Sequence, residues 1–304
     1  MLLPHAPHQW MLTAALALYG VFSGAMNVSM NAQAVALEQR SGRAIMSSFH
    51  ALFSFGGMAG SALGAVFASQ HISPAVHFAA AGTLFAVAAL PMGGALISSD
   101  RGQPGQPVFA KISRPLLGLG ALAFCILLNE GALADWSSVY LRRSLGTSEG
   151  TAAIGYSVFS FAMAFGRLVG DWTTERFGGV AIVRAGALAA AGGMTFALAW
   201  GTPLAAFVGF ALTGAGFSII VPLAFGAAGR TGGSAGAGLA AVNTAGYLGF
   251  LSGPAVIGFT AEFTGLRLAL TIVVILSVLV ALLARAVAVP LGASPVAAQE
   301  PVLQ

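Results

Sequence analysis

Two stretches of this chain, Ala44 to Ser99 and Ala185 to Gly229, contain no Asp, Glu, Lys or Arg. One helical crossing of a bilayer takes about 20 residues, so each stretch has room for two crossings and a turn. Neither can build a water-facing surface. The rest of the chain agrees: 57% of residues are hydrophobic and 7% are charged, against about a quarter charged in soluble domains. Backbone groups in lipid must pair within their own segment. The expected fold class is therefore all-α: a polytopic membrane protein. The 13 Lys+Arg against 9 Asp+Glu are too few to indicate a nucleic-acid partner. Cys125, the one cysteine, lies in an apolar run and supports no disulfide framework. The opening MLLPHAPHQW lacks the basic start of a signal peptide and reads as a short lead-in to the first span.

Cutting at turn residues and charges yields nine apolar segments, near 10–36, 45–69, 75–98, 115–141, 151–170, 181–200, 204–225, 236–258 and 268–288. Assigning alternate connectors to opposite sides puts Arg40, Arg43, Arg101, Lys111, Arg114, Arg176, Arg184, Arg230 and Arg285 on one side. The other side receives Arg142, Arg143 and Arg267. The positive-inside rule makes the first side cytoplasmic, with the C-terminus inside and the N-terminus outside.

An internal repeat refines this count. FHALFSFGGMAGSALG (49–64) aligns with VNTAGYLGFLSGPAVIG (242–258), His50 on Asn243, Gly56 on Gly249, Gly60 on Gly253 and Ala62 on Ala255. LYGVFSGA (18–25) pairs with LTGAGFSI (212–219), and the connectors QRSG and GRTGG are alike. Equivalence of spans two and eight implies parallel repeats of six. The nine spans then correspond to helices 4–12 of a twelve-helix protein. Residues 1–98 would form three helices of an incomplete N-terminal half-bundle. Residues 99–114 would be a central cytoplasmic loop, 115–289 a six-helix C-terminal half-bundle and 290–304 a cytoplasmic tail.

GRLVGDWTTERFGG (166–179) resembles the cytoplasmic loop motif of the major facilitator superfamily, with Gly166, Gly170, Asp171, Arg176 and Gly178 at its positions. SGPAVIGFTAEFTGLR (252–267) resembles that family's eleventh helix, and NVSMNAQAVALEQRSGRAIMSSFHALFSFGGMAG resembles the bacterial subgroup of rhizopine-associated inner-membrane permeases. The resemblance covers nearly the whole chain, without the family's first three helices. It implies a secondary active transporter of a small solute, working by alternating access in the bacterial inner membrane and coupled to protons. A sugar, polyol or amino-polyol is the preferred substrate. The alternative is a truncated, non-transporting fragment of such a permease. The expected partners are a small-molecule substrate, the bilayer and protons, with the chain a monomer. No metal-protease, paired-cysteine or phosphate-loop pattern is present; neither enzyme activity nor a cofactor is expected.

The candidate residues fall into two groups. Arg167 and Asp171 are four apart and share a helical face; an acidic group at the rim can cap the N-terminus of a helix from the other half, or the pair is a snorkelling Arg beside a solvated Asp. Gly56, Gly60 and Gly64 in span two, and Gly249 and Gly253 in span eight, make small-residue ridges that either slide or pack statically. Asn27 and Asn31 share a face of span one, with His50 in span two and Asn243 and Tyr247 in span eight at related positions. They either line a cavity for a hydroxyl-rich substrate or tie helices together. Glu130, with Asn129 beside it, lies roughly 22 Å along span four, where a carboxylate in lipid is a functional-site candidate. The alternative is a buried pair. Asp135, with Trp136 and Tyr140, is placed at the outer interface.

Overall fold

A computed structural model describes residues 8–97, 114–231 and 235–288. The tail 290–304, and the central loop apart from Arg114, lie outside the described residues. The elements are α1 (Gln9–Ser41), α2 (Met46–Ser69), α3 (Pro74–Ala89), α4 (Arg114–Val139), α5 (Glu149–Leu168), α6 (Gly170–Phe177), α7 (Gly179–Trp200), α8 (Pro203–Phe217), α9 (Ile220–Thr231), α10 (Ala235–Thr264), α11 (Leu266–Ala269) and α12 (Thr271–Leu283). A 3-10 turn, Leu90–Ala95, extends α3, and a π turn, Tyr140–Ser144, extends α4. The described residues contain no strand. Six helical stretches among them are long and apolar enough to cross a membrane: Gln9–Ser41, Ala75–Gly94, Arg114–Ser144, Gly179–Trp200, Pro203–Thr231 and Leu266–Val287. The chain is all-α and multi-pass.

Helix starts follow local chemistry. Ser73, Ser148 and Thr202 accept hydrogen bonds from the amides of Val76, Thr151 and Ala205, and Pro74 and Pro203 occupy first positions where no N–H is needed. Two sequence-based boundaries change. The connector DWTTERF forms α6 rather than a loop. The seventh segment is broken at Ser218 and Ile219 into α8 and α9, because Pro222 has no N–H to offer the carbonyl of Ser218.

Most of the core lies in residues 114–288, where α4 packs on α10, α7 on α8 and α12, and α5 on α8, with Ala32, Ala34, Val35 and Met46 joining it from α1 and α2. Glycines set how closely these helices approach. A Cβ on Gly249 would run into the carbonyl oxygen of Phe124, and one on Gly253 into that of Leu128. On the same α4–α10 seam, Gly131 meets the carbonyl of Phe250. The repeat-related Gly56 and Gly60 meet nothing within 4 Å. Two ridges alike in sequence therefore differ in use: that on α10 is a packing surface, while Gly56 and Gly60 on α2 face none of the described residues. Gly249→Leu is accordingly expected to destabilise the protein by about 1–3 kcal/mol through overpacking. Gly56→Leu should change little; thermal melting of the purified variants in detergent checks both.

Two aromatic placements need correction. Tyr140 does not point outward as a belt residue would but is fully buried, its hydroxyl donating to the carbonyl of Ala197 at 3.4 Å. Trp136 turns inward, donating from Nε1 to the carbonyl of Pro254 at 3.0 Å, while Asp135 is exposed. By contrast α1 and α3 present exposed apolar residues such as Tyr19, Phe22, Leu84 and Phe85, as helices facing lipid do.

Candidate functional site: a cavity and its closed rim

A cavity of ≈ 710 Å³ lies between α1, α2, α4, α5, α9 and α10, within the size range of small-molecule sites, about 300–1,000 Å³. One wall comes from residues 1–98, through Asn27 on α1 and His50, Phe53 and Ser54 on α2. The other comes from α4 (Glu130), α5 (Tyr156, Ser160, Arg167), α9 (Val221, Phe225) and α10 (Asn243, Tyr247). Amides, hydroxyls, a carboxylate and a guanidinium thus converge between aromatic surfaces. That lining suits a compact polar solute with apolar faces.

Glu130 is the acidic side chain of this lining. Its Oε1 is buried and has no hydrogen-bond partner, which in lipid is costly unless the group is neutral or met by a ligand. His50 sits in an ordered chain of polar groups. Asn31 Nδ2 donates to the backbone oxygen of Asn27 at 2.8 Å and to its Oδ1 at 3.1 Å. Asn31 Oδ1 faces His50 Nε2 at 3.2 Å, so that nitrogen carries the proton.

Not every candidate joins the cavity. Asn129, adjacent to Glu130, points the other way: it is fully buried, and its Nδ2 donates to the Val273 carbonyl and to Ser277 Oγ of α12 at 3.4 and 3.3 Å. Successive helical residues are about 100° apart, so one faces the cavity and the other the helix packing. Asn31 stands behind the lining, where it orients Asn27 and His50. Arg167, grouped with the rim by its motif, instead lines the cavity, with Nη1 donating to Ser54 Oγ and Nε to the Ser218 carbonyl at 3.3 Å.

The rim itself is built on the start of α2. A helix leaves its first N–H groups without internal partners. Here two carboxylates supply them. Asp171 Oδ1 accepts from the amide of Ser47 at 2.8 Å, and its Oδ2 accepts from the amide of Ser48 at 2.8 Å and from the Ser48 hydroxyl. Glu38 Oε1 accepts from the amides of Ile45 and Met46 at 3.1 and 3.3 Å, while its Oε2 pairs with Arg230 Nη1 at 2.7 Å. Both side chains of that pair are nearly excluded from solvent, at 4% and 6% exposure. Gly170 lets α6 approach, since a Cβ there would overlap Ser47, and Gly166 does the same for α5 against Ser218. Gly178 ends α6 at φ 81°, a left-handed value suited to glycine. Arg176 lies 5.8 Å from the ring centre of Trp172 on its own short helix. The further pair Arg43–Glu175, 3.8 Å apart and well exposed, contributes little.

Sequence reasoning missed Glu38 and Arg230. Their signal was present in the two like connectors: Glu38 immediately precedes QRSG, and Arg230 is the arginine of GRTGG.

Three comparisons bear on this arrangement. The Major Facilitator Superfamily model matches residues 1–249 and 119–302. An uncharacterized MFS-type transporter of Yersinia pestis is 37% identical over 277 residues, covering 91% of this chain and 72% of that protein. Membrane protein MosC of Rhizobium meliloti is 32% identical over 279 residues, covering 91% of this chain and 68% of its own. The fold resembles that of the fucose:proton symporter FucP of E. coli, with a TM-score of 0.60 and 17% identity over 72% of this chain; the chain spans 57% of that symporter. The matched model and the sequence relatives, found along almost the whole chain, establish that it belongs to the major facilitator superfamily.

Proposed function

We propose that this protein is a secondary active transporter of a small polar solute, with a sugar, polyol or amino-polyol preferred, and that Glu130 couples transport to protons. The observation that carries the reading is the cavity. It is lined by both residues 1–98 and residues 115–289, and is closed at one rim by contacts between those same two parts. A site between two bodies that can rock apart is what alternating access requires. Glu130 supplies the coupling: protonated, its carboxyl is neutral and can donate to the solute, and after losing the proton it favours release. In this reading the chain makes nine crossings of the bacterial inner membrane as a monomer. Residues 1–98 contribute three helices, 115–289 a six-helix half, and the C-terminus and the Asp171 rim are cytoplasmic.

The test is uptake into proteoliposomes, screening sugars, polyols and amino-polyols with and without an imposed pH gradient. A proton gradient should accelerate uptake by the parent at least about tenfold, and Glu130→Gln should retain solute exchange but lose the acceleration. If no solute moves in either protein, or the gradient drives Glu130→Gln equally well, the reading fails.

A further inference from the structure

The seam between α8 and α9 has an unusual guest. Pro222 carries no N–H, so the carbonyl four residues earlier, on Ser218, receives no helical bond. That oxygen accepts instead from Arg167 Nε at 3.3 Å. Arg167 reaches it from α5 because Gly166 leaves no Cβ against the Ser218 side chain. The same guanidinium donates to Ser54 Oγ on α2, whose own hydroxyl donates to the His50 carbonyl at 2.9 Å. A third neighbour completes the picture: Glu130, with its buried and unpartnered Oε1, lines the same cavity as Arg167. Downstream of the break, α9 presents Val221 and Phe225 to the cavity, and it carries Arg230 at its far end, paired with Glu38 at the rim.

Resting on the transport reading above, we propose that Arg167 is a positioning residue that links Glu130 to the α8–α9 break, with α9 acting as the lever between cavity and rim. While Glu130 is neutral, or its charge is met by a ligand, the guanidinium stays on Ser218 and Ser54, the break is satisfied, and α9 holds Arg230 against Glu38. An ionised, unmet Glu130 draws the guanidinium away. The Ser218 carbonyl then loses its donor, the break loosens, and the rim pair opens. The other titratable or charged groups that line the cavity with Glu130 are Arg167 and Tyr156 on α5, His50 on α2 and Tyr247 on α10. Of these, His50 is the other group whose ordinary titration lies near neutral pH.

The experiment reads the rim directly and needs no substrate. Cys125→Ser removes the lone cysteine, and Val35→Cys places a reporter at a buried position of α1 that abuts Gly229 of α9, three residues before Glu38. The rate of maleimide labelling then reports rim opening in detergent or nanodiscs. Arg167→Gln is expected to raise that rate about tenfold, as loss of a hydrogen bond from a charged donor would. Adding Pro222→Ala restores a backbone N–H for the Ser218 carbonyl, and should return the rate most of the way to that of the parent. In the parent the rate should rise as the pH is raised and Glu130 gives up its proton, since a carboxyl loses its proton with rising pH. Glu130→Gln should abolish that rise and His50→Gln should leave it. An Arg167→Gln rate equal to the parent's, or unchanged by Pro222→Ala, overturns the proposal. So does a pH response that survives in Glu130→Gln or disappears in His50→Gln. Should Arg167→Gln fail to fold, the Glu130 and His50 arms decide alone. Labelling that behaves as expected in a protein that moves no solute supports the linkage while refuting transport.

Discussion

Asp171→Ala is expected to open the rim and shift the protein about 30-fold or more toward the open conformer. The carboxylate accepts from two first-turn amides and one hydroxyl of α2. Losing an N-cap costs about 0.5–2 kcal/mol, and losing bonds to an ionised acceptor costs about 1.5–3 kcal/mol. A net effect of about 2–3 kcal/mol corresponds to roughly 30- to 150-fold in the equilibrium, at about 1.4 kcal/mol per factor of ten. In the alternating-access reading proposed above, the effect falls on one conformer because Asp171 belongs to α6 and its partners to α2, which part when the rim opens. A cysteine at Ala51, buried one turn into α2, reports the shift as faster maleimide labelling. Asp171→Asn keeps an acceptor but loses the charge and the second carboxylate oxygen, and should fall between. Glu175→Gln, which removes an exposed pair, should leave the rate within about twofold. An Asp171→Ala protein that labels like the parent would show that the cap does not hold the rim.

Glu38→Gln should be the most destabilising single change considered, by about 3–5 kcal/mol, because it leaves the buried guanidinium of Arg230 without its counter-charge. Arg230 Nε already lacks a hydrogen-bond partner, so no bond at that nitrogen offsets the loss. The two ends of this pair are not equivalent. Glu38 also caps Ile45 and Met46 through its other oxygen, whereas Arg230 serves the pair. The exchange Glu38→Arg with Arg230→Glu restores neutrality but puts a donor where α2 needs an acceptor. It should recover only part of the loss, remaining about 0.5–2 kcal/mol below the parent. Melting temperatures of the single and exchanged variants, compared as a cycle, check this; full recovery on exchange would remove Glu38 as a cap.

The helices, the membrane setting and the family were legible in the sequence, and so were several residues that meet at the cavity. Uncharged runs such as Ala185–Gly229 leave a chain in lipid no alternative to helices, so no knowledge of neighbours is needed. Glu130 was conspicuous because a carboxylate is rare and costly at that depth. Asp171 was conspicuous because its flanking glycines and basic residue form a pattern with an electrostatic use. Nothing local distinguished Glu130 from Asn129 as cavity lining, since both are polar and adjacent. The difference lies in α12, whose Val273 carbonyl and Ser277 hydroxyl take up the amide.

The same limit explains the other departures. Gly56 and Gly249 occupy matching repeat positions, yet only the second has a helix backbone against it. Arg167 reads as part of a rim motif, and its actual acceptor exists because a proline on α9 freed a carbonyl. Glu38 and Arg230 are 192 positions apart, and neither is unusual in its own connector. What the sequence determined by itself was whatever depends on a residue and its solvent: which segments can cross a bilayer, where they must turn, and which charges are out of place there. What the tertiary structure decided was which partner each polar group met. Hydrogen bonds and buried ion pairs act over a few ångströms, and helices distant in the chain supply the groups that lie within that reach.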